Sequence, residues 1–544
     1  AIDRGNLTDP SLDPNAPPIP DYLKSDNIVI LSGQTLEASA SQTEEILVSA
    51  GARIYQRGDT LVRPIYKEVP GYGVVGKVRS AALIPVREHW LHRYTTRFVR
   101  FARYDRRMKE WRECSPPLLL TQTIMANAGH WPFPHVVGLL TCPTIRPDGS
   151  VLSSRGYDAK TGLLMLHSPS ISPSATPTRQ DALEGLAALK ALLAEFPFTD
   201  RESLSVALSA IITPVISAAL PSSPMHVIGA PTPGTGKSFL IDLCSAIVSG
   251  TPCPVIAAGR TEDETEKRLG AALLAGYPLL SIDNVNGDLG GDFLCQVVER
   301  PVANVRVLGR SNIVQINKNI ALFATGNNIR LVGDITRRSI LAVLDSDMER
   351  PELRRFSYNP LKMVMENRPF YIEAIINIIR AWMFSPDPPV VDQHLASFED
   401  WSRTVRSALV WLGEADPVAT IEAAKHGDPQ LQATYNLMRA IEDCFGLDNP
   451  VTCQEIINAA TGGLGSPAHP DLHEALQSIY FKGRLNVRDI GNWFRRFSGR
   501  IIGDRKLESI SRGRRGNRWF VTSVTKEEKF LDAPSLDAPS AADG

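Results

Sequence analysis

The segment Met225-His-Val-Ile-Gly-Ala-Pro231-Thr-Pro-Gly234-Thr-Gly236-Lys237-Ser238-Phe239 decides the fold of this 544-residue chain. It begins apolar, is rich in glycine and proline at its centre, and leads into a stretch with helical apolar spacing. This order predicts a strand, a tight loop and a helix. Backbone N–H groups of such a loop bind phosphate, its lysine reaches the β- and γ-phosphate oxygens, and its serine hydroxyl binds Mg²⁺. We therefore expect ATP and Mg²⁺ to bind at Gly234, Thr235, Gly236, Lys237, Ser238 and Phe239, with Lys237 catalytic.

The consensus for a phosphate-binding loop is Gly-x-x-x-x-Gly-Lys-Ser/Thr. Gly236, Lys237 and Ser238 match it, whereas Pro231 stands at the first glycine position, with Gly234 close by. The flanking strand and helix supply the expected context, because a helix N-terminus favours an anion. The alternative is a chance loop that binds no nucleotide.

A second apolar segment, Leu279-Leu-Ser-Ile-Asp283, ends in an acid. Asp283 is therefore the candidate for holding Mg²⁺ beside Ser238. Most hydrolytic sites of this kind add a neighbouring carboxylate that orients the attacking water, but Asn284 stands in that position. The alternative sources of a carboxylate are Glu262, Glu264, Glu266 and Glu299, and a solvated surface role is the competing interpretation for each of them.

A third apolar segment, residues 319–326, is followed by Asn327 and Asn328. A polar side chain at the end of this strand can sit between Asp283 and the γ-phosphate. We therefore expect Asn327 to sense the γ-phosphate. The alternative is an asparagine that only forms a turn.

Further apolar segments lie at residues 254–258 and 339–345, which brings the predicted strands to five, and Arg337 and Arg338 precede the last of them. An arginine at this point can leave its own subunit and stabilise transition-state charge in a neighbour's site. We expect Arg337 or Arg338 to take that catalytic role, which implies a ring of subunits. Surface ion pairing with Asp334 or Asp345 is the alternative.

Four motifs in this order and spacing resemble an AAA+ ATPase, and particularly the superfamily 3-like helicase domains of phage and mobile-element primase-helicases. They are Pro-Thr-Pro-Gly-Thr-Gly-Lys-Ser, Leu-Leu-Ser-Ile-Asp-Asn, Phe-Ala-Thr-Gly-Asn-Asn and Asp-Ile-Thr-Arg-Arg, and they cover residues 223–350. The resemblance implies a homo-oligomeric ring, expected to be a hexamer, that translocates on single-stranded or forked DNA. Pro231 and Asn284 depart from the commonest pattern of the family.

The composition, 43% hydrophobic and 22% charged, excludes disorder throughout the chain, and no run approaches the about 20 apolar residues that a membrane span needs. We expect an α/β protein in the cytoplasm, without membrane contact. The predicted domains are a flexible segment (1–25), a mixed, mainly β domain (26–180), a helical connector (181–222), the AAA+ P-loop core (223–350), a helical lid (351–427), a winged-helix-like domain (428–525) and a disordered tail (526–544).

The charge of this chain is segregated near its carboxyl end. Residues 482–518 hold 12 Lys or Arg against 3 Asp or Glu, which is an electrostatic footprint for a polyanion. A helix over residues 488–500 and a hairpin after it resemble a winged helix, whose arginines would contact DNA. Protein docking and a solvated basic face are the alternatives. The candidate DNA-binding residues are Arg495, Arg496, Arg500, Arg512, Arg514 and Arg515.

A second basic and aromatic stretch runs from Arg93 to Arg112. Its aromatic side chains and arginines could stack on and grip a single strand of nucleic acid. The same alternation also describes an ordinary half-buried strand, which we favour slightly.

The leading hypothesis from the sequence is an ATP-driven, ring-forming DNA helicase or replication initiator. The second is a nucleotide-switched DNA-binding assembly or loader protein without unwinding activity, which Asn284 favours slightly. A small-molecule P-loop kinase is the third hypothesis, and it leaves the basic terminal domain without a role.

Overall fold

The computed structural model describes residues 17–70, 77–259, 261–306, 313–386, 391, 395–426, 429–462, 469–479, 485–511 and 517–524. These residues fold into two compact units. The first unit runs up to Ile329 and resumes over Arg337–Ile421. The second takes Arg330–Thr336 and the chain from Glu422 onward.

The amino-terminal region combines four small sheets with three helices. The sheets have the strand orders β1-β5-β6, β2-β3-β4, β10-β11-β7 and β8-β9. The elements are β1 (Ile28–Ile30), α1 (Leu36–Ser49), β2 (Tyr55–Arg57), β3 (Thr60–Pro70), β4 (Lys77–Pro85), α2 (Glu88–Thr95), β5 (Arg100–Asp105), β6 (Glu110–Cys114), α3 (Leu118–Ala126), β7 (Gly138–Leu140), β8 (Thr144–Ile145), β9 (Val151–Leu152), β10 (Gly156–Asp158) and β11 (Leu163–Met165). The described part of this region therefore combines helices with many short strands.

The segment that was expected to be a flexible start packs on this region over residues 17–25. Leu23 is 2% exposed, and the Trp111 indole N–H donates to the Pro17 carbonyl at 3.1 Å. The Tyr22 hydroxyl donates to the Trp111 carbonyl at 3.3 Å. Prolines limit what this segment can bury, but one leucine and one tyrosine are enough to attach it to an aromatic neighbour. Residues 1–16 and the predicted tail at 526–544 lie outside the described residues.

Two helices, α4 (Arg179–Leu193) and α5 (Arg201–Val215), connect this region to the α/β core. Thr178 begins α4 with a reciprocal capping box, since its hydroxyl accepts from the Asp181 N–H and the Asp181 carboxylate accepts from the Thr178 N–H. Asp200 caps α5, because its carboxylate accepts from the Ser203 N–H at 2.6 Å.

The α/β core contains the five strands predicted from the apolar segments, and they form one sheet of order β13-β14-β17-β12-β18. The order of elements along the chain is β12 (Met225–Ala230), α6 (Lys237–Ser249), β13 (Val255–Ala257), α7 (Glu262–Leu274), β14 (Leu279–Leu289), α8 (Asp292–Glu299), β15 (Val302–Arg306), β16 (Ile313–Asn317), β17 (Ala321–Leu331) and β18 (Ser339–Val343). The short strands β15 and β16 form a separate antiparallel pair.

The strands of this sheet run in the same direction. Strand β12 pairs in parallel with both β17 and β18, and β13 pairs in parallel with β14. The Ala321 N–H donates to the Pro278 carbonyl at 3.0 Å near the start of β17, and Gly326 lies against the Val285 carbonyl near the middle of both strands. Strands β14 and β17 are therefore parallel as well, and their carboxyl ends meet at one edge of the sheet.

Further helices pack on α4 and α5. They are α9 (Pro360–Glu366), α10 (Arg368–Met383), α11 (Glu399–Trp401) and α12 (Ser407–Trp411), and α13 (Thr420–His426) follows them along the chain. A β-carbon at Gly185 of α4 would lie 3.0 Å from the Ala374 carbonyl of α10, so a larger residue there would require the two helices to shift slightly apart. Helices α9 and α10, in the region predicted as a lid, thus contact the connector helix α4. None of the described helices combines the length and the apolar character that a membrane crossing requires.

The second unit contains α14 (Pro429–Phe445), α15 (Cys453–Thr461), α16 (Pro470–Ile479), α17 (Val487–Phe497), β19 (Ile501–Ile502), β20 (Arg505–Ser511) and β21 (Asn517–Ser523). Strands β20 and β21 form the predicted antiparallel hairpin directly after α17. The Arg505 guanidinium holds this hairpin to α14 through two bonds of 2.7 and 2.9 Å to the Glu442 carboxylate. Phe494 and Trp519 pack together in the core with ring centroids 5.2 Å apart.

Candidate functional site

The predicted phosphate-binding loop leaves the carboxyl end of the central strand β12 and enters α6. Gly234 and Gly236 have φ angles of 80° and 102°, a left-handed conformation that side chains with a β-carbon rarely adopt. Gly236 is also the residue before α6, which begins at Lys237. The first N–H groups of α6 have no partner within the helix, so this end of α6 is suited to a phosphate.

The Lys237 side chain folds back over this loop. Its ammonium donates to the Thr232 carbonyl at 3.1 Å and to the Thr235 hydroxyl at 3.3 Å. Burial lowers the pKa of Lys237, and the charge of Asp283 opposes that shift. An ammonium that has lost part of its water and holds only neutral oxygens gains from any anion placed beside it.

Asp283 lies opposite the loop at the end of the apolar part of β14. Its Oδ1 accepts hydrogen bonds from the Ser238 hydroxyl at 3.3 Å and from the Thr325 hydroxyl. The Thr325 oxygen in turn accepts from the Asn284 N–H at 3.3 Å. Thr325 therefore fixes the carboxylate that faces Ser238.

Sequence reasoning missed Thr325, although a signal was present. Thr325 stands two residues before Asn327 on the same strand, and alternate residues of a strand point to the same side. Because β17 lies between β12 and β14, a polar residue on that side faces both the loop and Asp283.

The oxygens of Ser238 and Asp283 fit a magnesium ion that is completed by other ligands. Mg²⁺ is bound in proteins by one or two oxygen ligands together with water and substrate phosphates. Within the described residues, no group of three or more His, Cys, Asp or Glu side chains could hold a metal by itself. The phosphate groups of a nucleotide would therefore supply part of the coordination here.

Asn327 also lines this cleft. Its Oδ1 is buried and, among the described residues, accepts no hydrogen bond. Its position depends on Gly326, because a β-carbon there would lie 2.2 Å from the Val285 carbonyl oxygen. The Asn328 amide donates to the Pro231 carbonyl at 3.4 Å and so joins the end of β17 to the loop. An unpartnered buried acceptor next to a phosphate-binding loop is suited to an incoming donor, such as a water molecule.

The cleft has a volume of about 450 Å³. Its lining residues are Pro233, Gly234, Gly236, Lys237, Ser238, Phe239, Asp283, Asn284, Thr325, Gly326 and Asn327. Asp283 is the one carboxylate among these described lining residues. Lys237, Ser238, Asp283 and Asn327 are thus brought together as the sequence predicted.

The other acids proposed from the sequence do not line the cleft. Glu262 accepts from the Asp292 N–H at 2.6 Å, at the start of α8. Glu299 is held by Arg338 and by the Ser397 hydroxyl. Glu264 and Glu266 lie on α7 and are also absent from the described lining.

A second cavity of about 690 Å³ lies on the other side of the same loop. It shares Gly234, Gly236 and Phe239 with the first cleft, and its wall is largely apolar. The remaining lining residues are Leu192, Glu195, Phe196, Pro197, Thr235, Pro351, Glu352, Arg354, Phe356, Ser357, Tyr358, Asn359 and Pro360. The rings of Phe196 and Phe239 are 6.1 Å apart and inclined by 30°.

Two segments that are distant in sequence form this second cavity. The Glu195 carboxylate accepts from the Ser357 N–H at 3.0 Å and from the Ser357 hydroxyl at 2.5 Å. The Arg354 guanidinium donates to the Glu195 carbonyl, and the Tyr358 hydroxyl donates to the Ala191 carbonyl, both at 2.6 Å. Sequence reasoning missed this cavity, because its two walls are joined only in the folded chain.

The two candidate arginine fingers have different environments. Arg338 is 5% exposed, and its Nε and Nη2 both donate to Glu299 Oε2, with the Nε bond at 2.7 Å. The Ser397 hydroxyl donates to Glu299 Oε1 at 2.9 Å, and the Arg338 guanidinium lowers the pKa of Glu299. Arg338 is therefore committed to its own chain, contrary to the expectation that it could reach outward. Arg337 is exposed.

The basic residues of the second unit lie on one helix and the turn that follows it. Arg495, Arg496 and Arg500 are exposed, whereas Ile490, Phe494 and Phe497 are buried. The guanidinium groups of Arg496 and Arg500 both lie 5.6 Å from the centroid of the Phe497 ring. The other three predicted DNA-binding residues, Arg512, Arg514 and Arg515, lie outside the described residues.

Comparison with known proteins gives two distant structural likenesses. One is a chain described as the A form apo structure of the NrS-1 C-terminal region, with 11% identity, a TM-score of 0.35, and coverage of 89% of this chain and 100% of that chain. Another is SCCmec type IV Cch, described as an active helicase, with 11% identity, a TM-score of 0.32, and coverage of 87% of this chain and 98% of that chain. No family model and no curated protein matches this chain. Likenesses this weak carry no argument, so function must be inferred from the site itself.

Proposed function

We propose that this chain is a Mg²⁺-dependent ATP hydrolase that works as a ring-forming DNA helicase or replication initiator of a phage or mobile element. One observation carries the proposal. A single cleft at the carboxyl edge of a parallel sheet collects the start of α6, Lys237, the Ser238–Asp283 pair and Asn327. Each of these groups has a distinct partner on a nucleoside triphosphate.

The two cavities on either side of the loop divide the nucleotide between them. The phosphates occupy the cleft beside Lys237, because that cleft holds the cationic side chain and the helix N-terminus. The base occupies the larger, apolar cavity between Phe196 and Phe356. The shared loop residues Gly234 and Gly236 have no side chain that would separate the two parts of the ligand.

The side chains of the cleft then have separate tasks. Mg²⁺, when bound, neutralises charge on the phosphate oxygens. Ser238 and Asp283 would hold it, and Thr325 would keep the Asp283 carboxylate turned toward it. Asn327 provides an amide beside the γ-phosphate, and Arg337 of one subunit reaches the site of its neighbour.

A coupled hydrolysis assay tests the proposal. Purified protein should hydrolyse ATP with Mg²⁺, hydrolyse it faster with single-stranded DNA, and displace a strand from a forked duplex. Lys237→Ala should abolish both activities. The proposal is refuted if DNA neither stimulates hydrolysis nor is unwound on forks of either polarity, or if Lys237→Ala retains both activities.

A second candidate function is a nucleotide-switched DNA-binding assembly or loader protein that does not unwind. It is favoured by Asn284, which lines the cleft where a second carboxylate would orient water, and by the engagement of Glu262 and Glu299 elsewhere. This candidate predicts ATP-dependent assembly on DNA that a non-hydrolysable analogue supports fully, without strand displacement. Asn284→Glu distinguishes the two functions. It should accelerate ATP hydrolysis if the wild-type site lacks a water-orienting carboxylate, as the second candidate supposes, and should not accelerate it if the wild-type site already has one.

A further inference from the structure

A cationic surface with half-buried aromatic rings lies on the amino-terminal region and has no part in the proposed nucleotide site. We call it the α2 face, and its residues are Arg63, Arg87, Trp90, Arg93, Tyr94, Arg97 and Phe98. Trp90 stacks on Tyr94 with ring centroids 4.3 Å apart and planes inclined by 20°. Tyr94 meets Phe98 edge-on at 5.1 Å. The three rings form a continuous ladder along α2 and the turn after it.

Arginines flank this ladder on both sides. The Arg63 guanidinium lies 4.4 Å above the Trp90 ring, and that of Arg97 lies 5.7 Å from the Tyr94 ring. Arg87, Arg93 and Arg97 are exposed. Cations over aromatic faces present both a flat surface and a positive charge to a ligand.

The arginines of the α2 face have no carboxylate partner within the described part of the chain. The acid on α2, Glu88, accepts from the Gln122 amide at 2.9 Å. Arginines on the neighbouring hairpin differ, since Arg100 pairs with Glu113 and Arg112 pairs with Glu110. The exposed arginines of the α2 face are therefore available to an anion.

A cleft at one end of the ladder has the size and lining for a flat ligand. Its volume is about 400 Å³, within the range of about 300–1,000 Å³ typical of ligand pockets. It is lined by Arg63, Ile84, Pro85, Arg87 and Trp90. The Arg63 Nε is buried and has no hydrogen-bond partner among the described residues. The cleft thus offers an unpaired donor, an aromatic wall and an exposed cation.

We propose that the α2 face binds single-stranded nucleic acid, separately from the nucleotide site and from α17. A base enters the cleft lined by Arg63, Arg87 and Trp90, and the adjoining phosphates lie along Arg87, Arg93 and Arg97. A single strand fits because its bases are free to stack on aromatic rings, whereas those of a duplex are stacked on each other. Stacking with phosphate contacts accepts any sequence, which suits a strand that moves past the surface.

Photo-crosslinking locates the bound strand directly. The full chain is mixed with a single-stranded oligonucleotide that contains 5-bromodeoxyuridine, irradiated, digested and analysed by mass spectrometry. Crosslinks are expected at Trp90 or Tyr94, and Lys237→Ala should leave them in place because this surface does not need ATP. The absence of any crosslink on residues 84–98, with crosslinks elsewhere, would overturn the proposal.

Affinity measurements test the chemistry of the contact. With a fluorescein-labelled 20-mer of thymidine, Trp90→Ala should weaken binding by about 5- to 100-fold, whereas Trp90→Phe should stay close to wild type. The double variant Arg87→Glu with Arg97→Glu should weaken binding at least as much as Trp90→Ala. Its affinity should also depend less steeply on salt concentration than that of wild type, because fewer phosphates are neutralised. The charge-matched control is Arg155→Glu with Lys160→Glu, two exposed cations of the same region. Control and wild type should bind alike.

Two further arms separate the alternatives. An abasic oligonucleotide of equal length keeps the charge and lacks the bases. Wild type should therefore bind it more weakly than the thymidine strand, whereas Trp90→Ala should bind the two strands equally. Equal binding of abasic and thymidine strands would refute base stacking. Poly-glutamate of the same total charge serves as a competitor. If it displaces the strand, the surface would be assigned to an acidic protein segment instead. Hydrolysis of ATP without DNA should be unchanged in the Trp90, Arg87/Arg97 and Arg155/Lys160 variants, so failure here is distinct from failure of the proposed function.

Discussion

Replacement of Arg338 by methionine would separate a structural arginine from a catalytic one. Arg338→Met removes the guanidinium and keeps most of the apolar stem. The Glu299 side chain, which is 19% exposed, then keeps the hydrogen bond from the Ser397 hydroxyl but has no guanidinium beside its Oε2. Loss of one partner from a buried ion pair costs about 3–5 kcal/mol, because the other charge stays buried without compensation.

The expected result is a loss of about 3–5 kcal/mol in unfolding free energy for Arg338→Met, measured by urea denaturation followed by circular dichroism. Glu299→Gln combined with Arg338→Met should recover most of this loss, since no charge is then left alone. Exposed Arg337 is the matched position, and Arg337→Met should change stability by less than about 0.5 kcal/mol.

Hydrolysis assays on mixed subunits complete the test. Arg337→Met subunits should lower ATP hydrolysis when mixed with wild type, because each would leave a neighbouring site without its arginine. The reasoning is refuted if Arg338→Met is as stable as wild type and is the variant that poisons mixed oligomers. In that case the Glu299 pair would be a resting state of the finger and not a permanent contact.

Three further predictions concern single side chains of the first unit. Thr325→Val removes the hydroxyl that bridges Asn284 and Asp283. ATP hydrolysis should therefore fall by at least about tenfold and require more Mg²⁺, while the melting temperature changes little. Unchanged hydrolysis would exclude a role for this bond. Burial lowers the pKa of His226 to about 3, so below pH 6.5 the unfolded chain takes up a proton that the folded chain does not. The free energy of unfolding should therefore fall by about 2 kcal/mol from pH 6.5 to pH 5. His226→Gln should remove that part of the pH dependence in urea titrations. Phe196→Ala should weaken ATP binding by about 1–3 kcal/mol in calorimetry and leave tripolyphosphate binding unchanged, whereas equal losses would place the base elsewhere.

The sequence predicted the strands of the core because each is a short apolar run next to a marked loop. Met225–Ala230, for example, is buried at every position and is followed by a glycine-rich turn. The same pattern predicted the order of Lys237, Asp283 and Asn327 along one sheet edge, since parallel strands end on the same side. Local pattern and chain direction were sufficient for these positions.

Other parts of the site depend on contacts that no local pattern contains. Arg337 and Arg338 are adjacent and chemically identical, and only the position of Glu299 distinguishes them. The larger cavity joins Glu195 to Ser357 across a long stretch of chain. Thr325 was overlooked because a threonine inside a strand is ordinary, and its importance comes from the strand order that places it beside Asp283.

On the proposed function, the construction of the larger cavity would link the lifetime of the protein to the supply of ATP. A ligand that spans both walls binds the folded chain and not the unfolded one, so it stabilises the fold by about 2.7 kcal/mol at a concentration one hundred times its dissociation constant. The hydrogen bonds from Ser357 and Arg354 to Glu195 would have to open before a protease could enter there. Starvation for ATP would therefore shorten the survival of this protein as well as stop its activity.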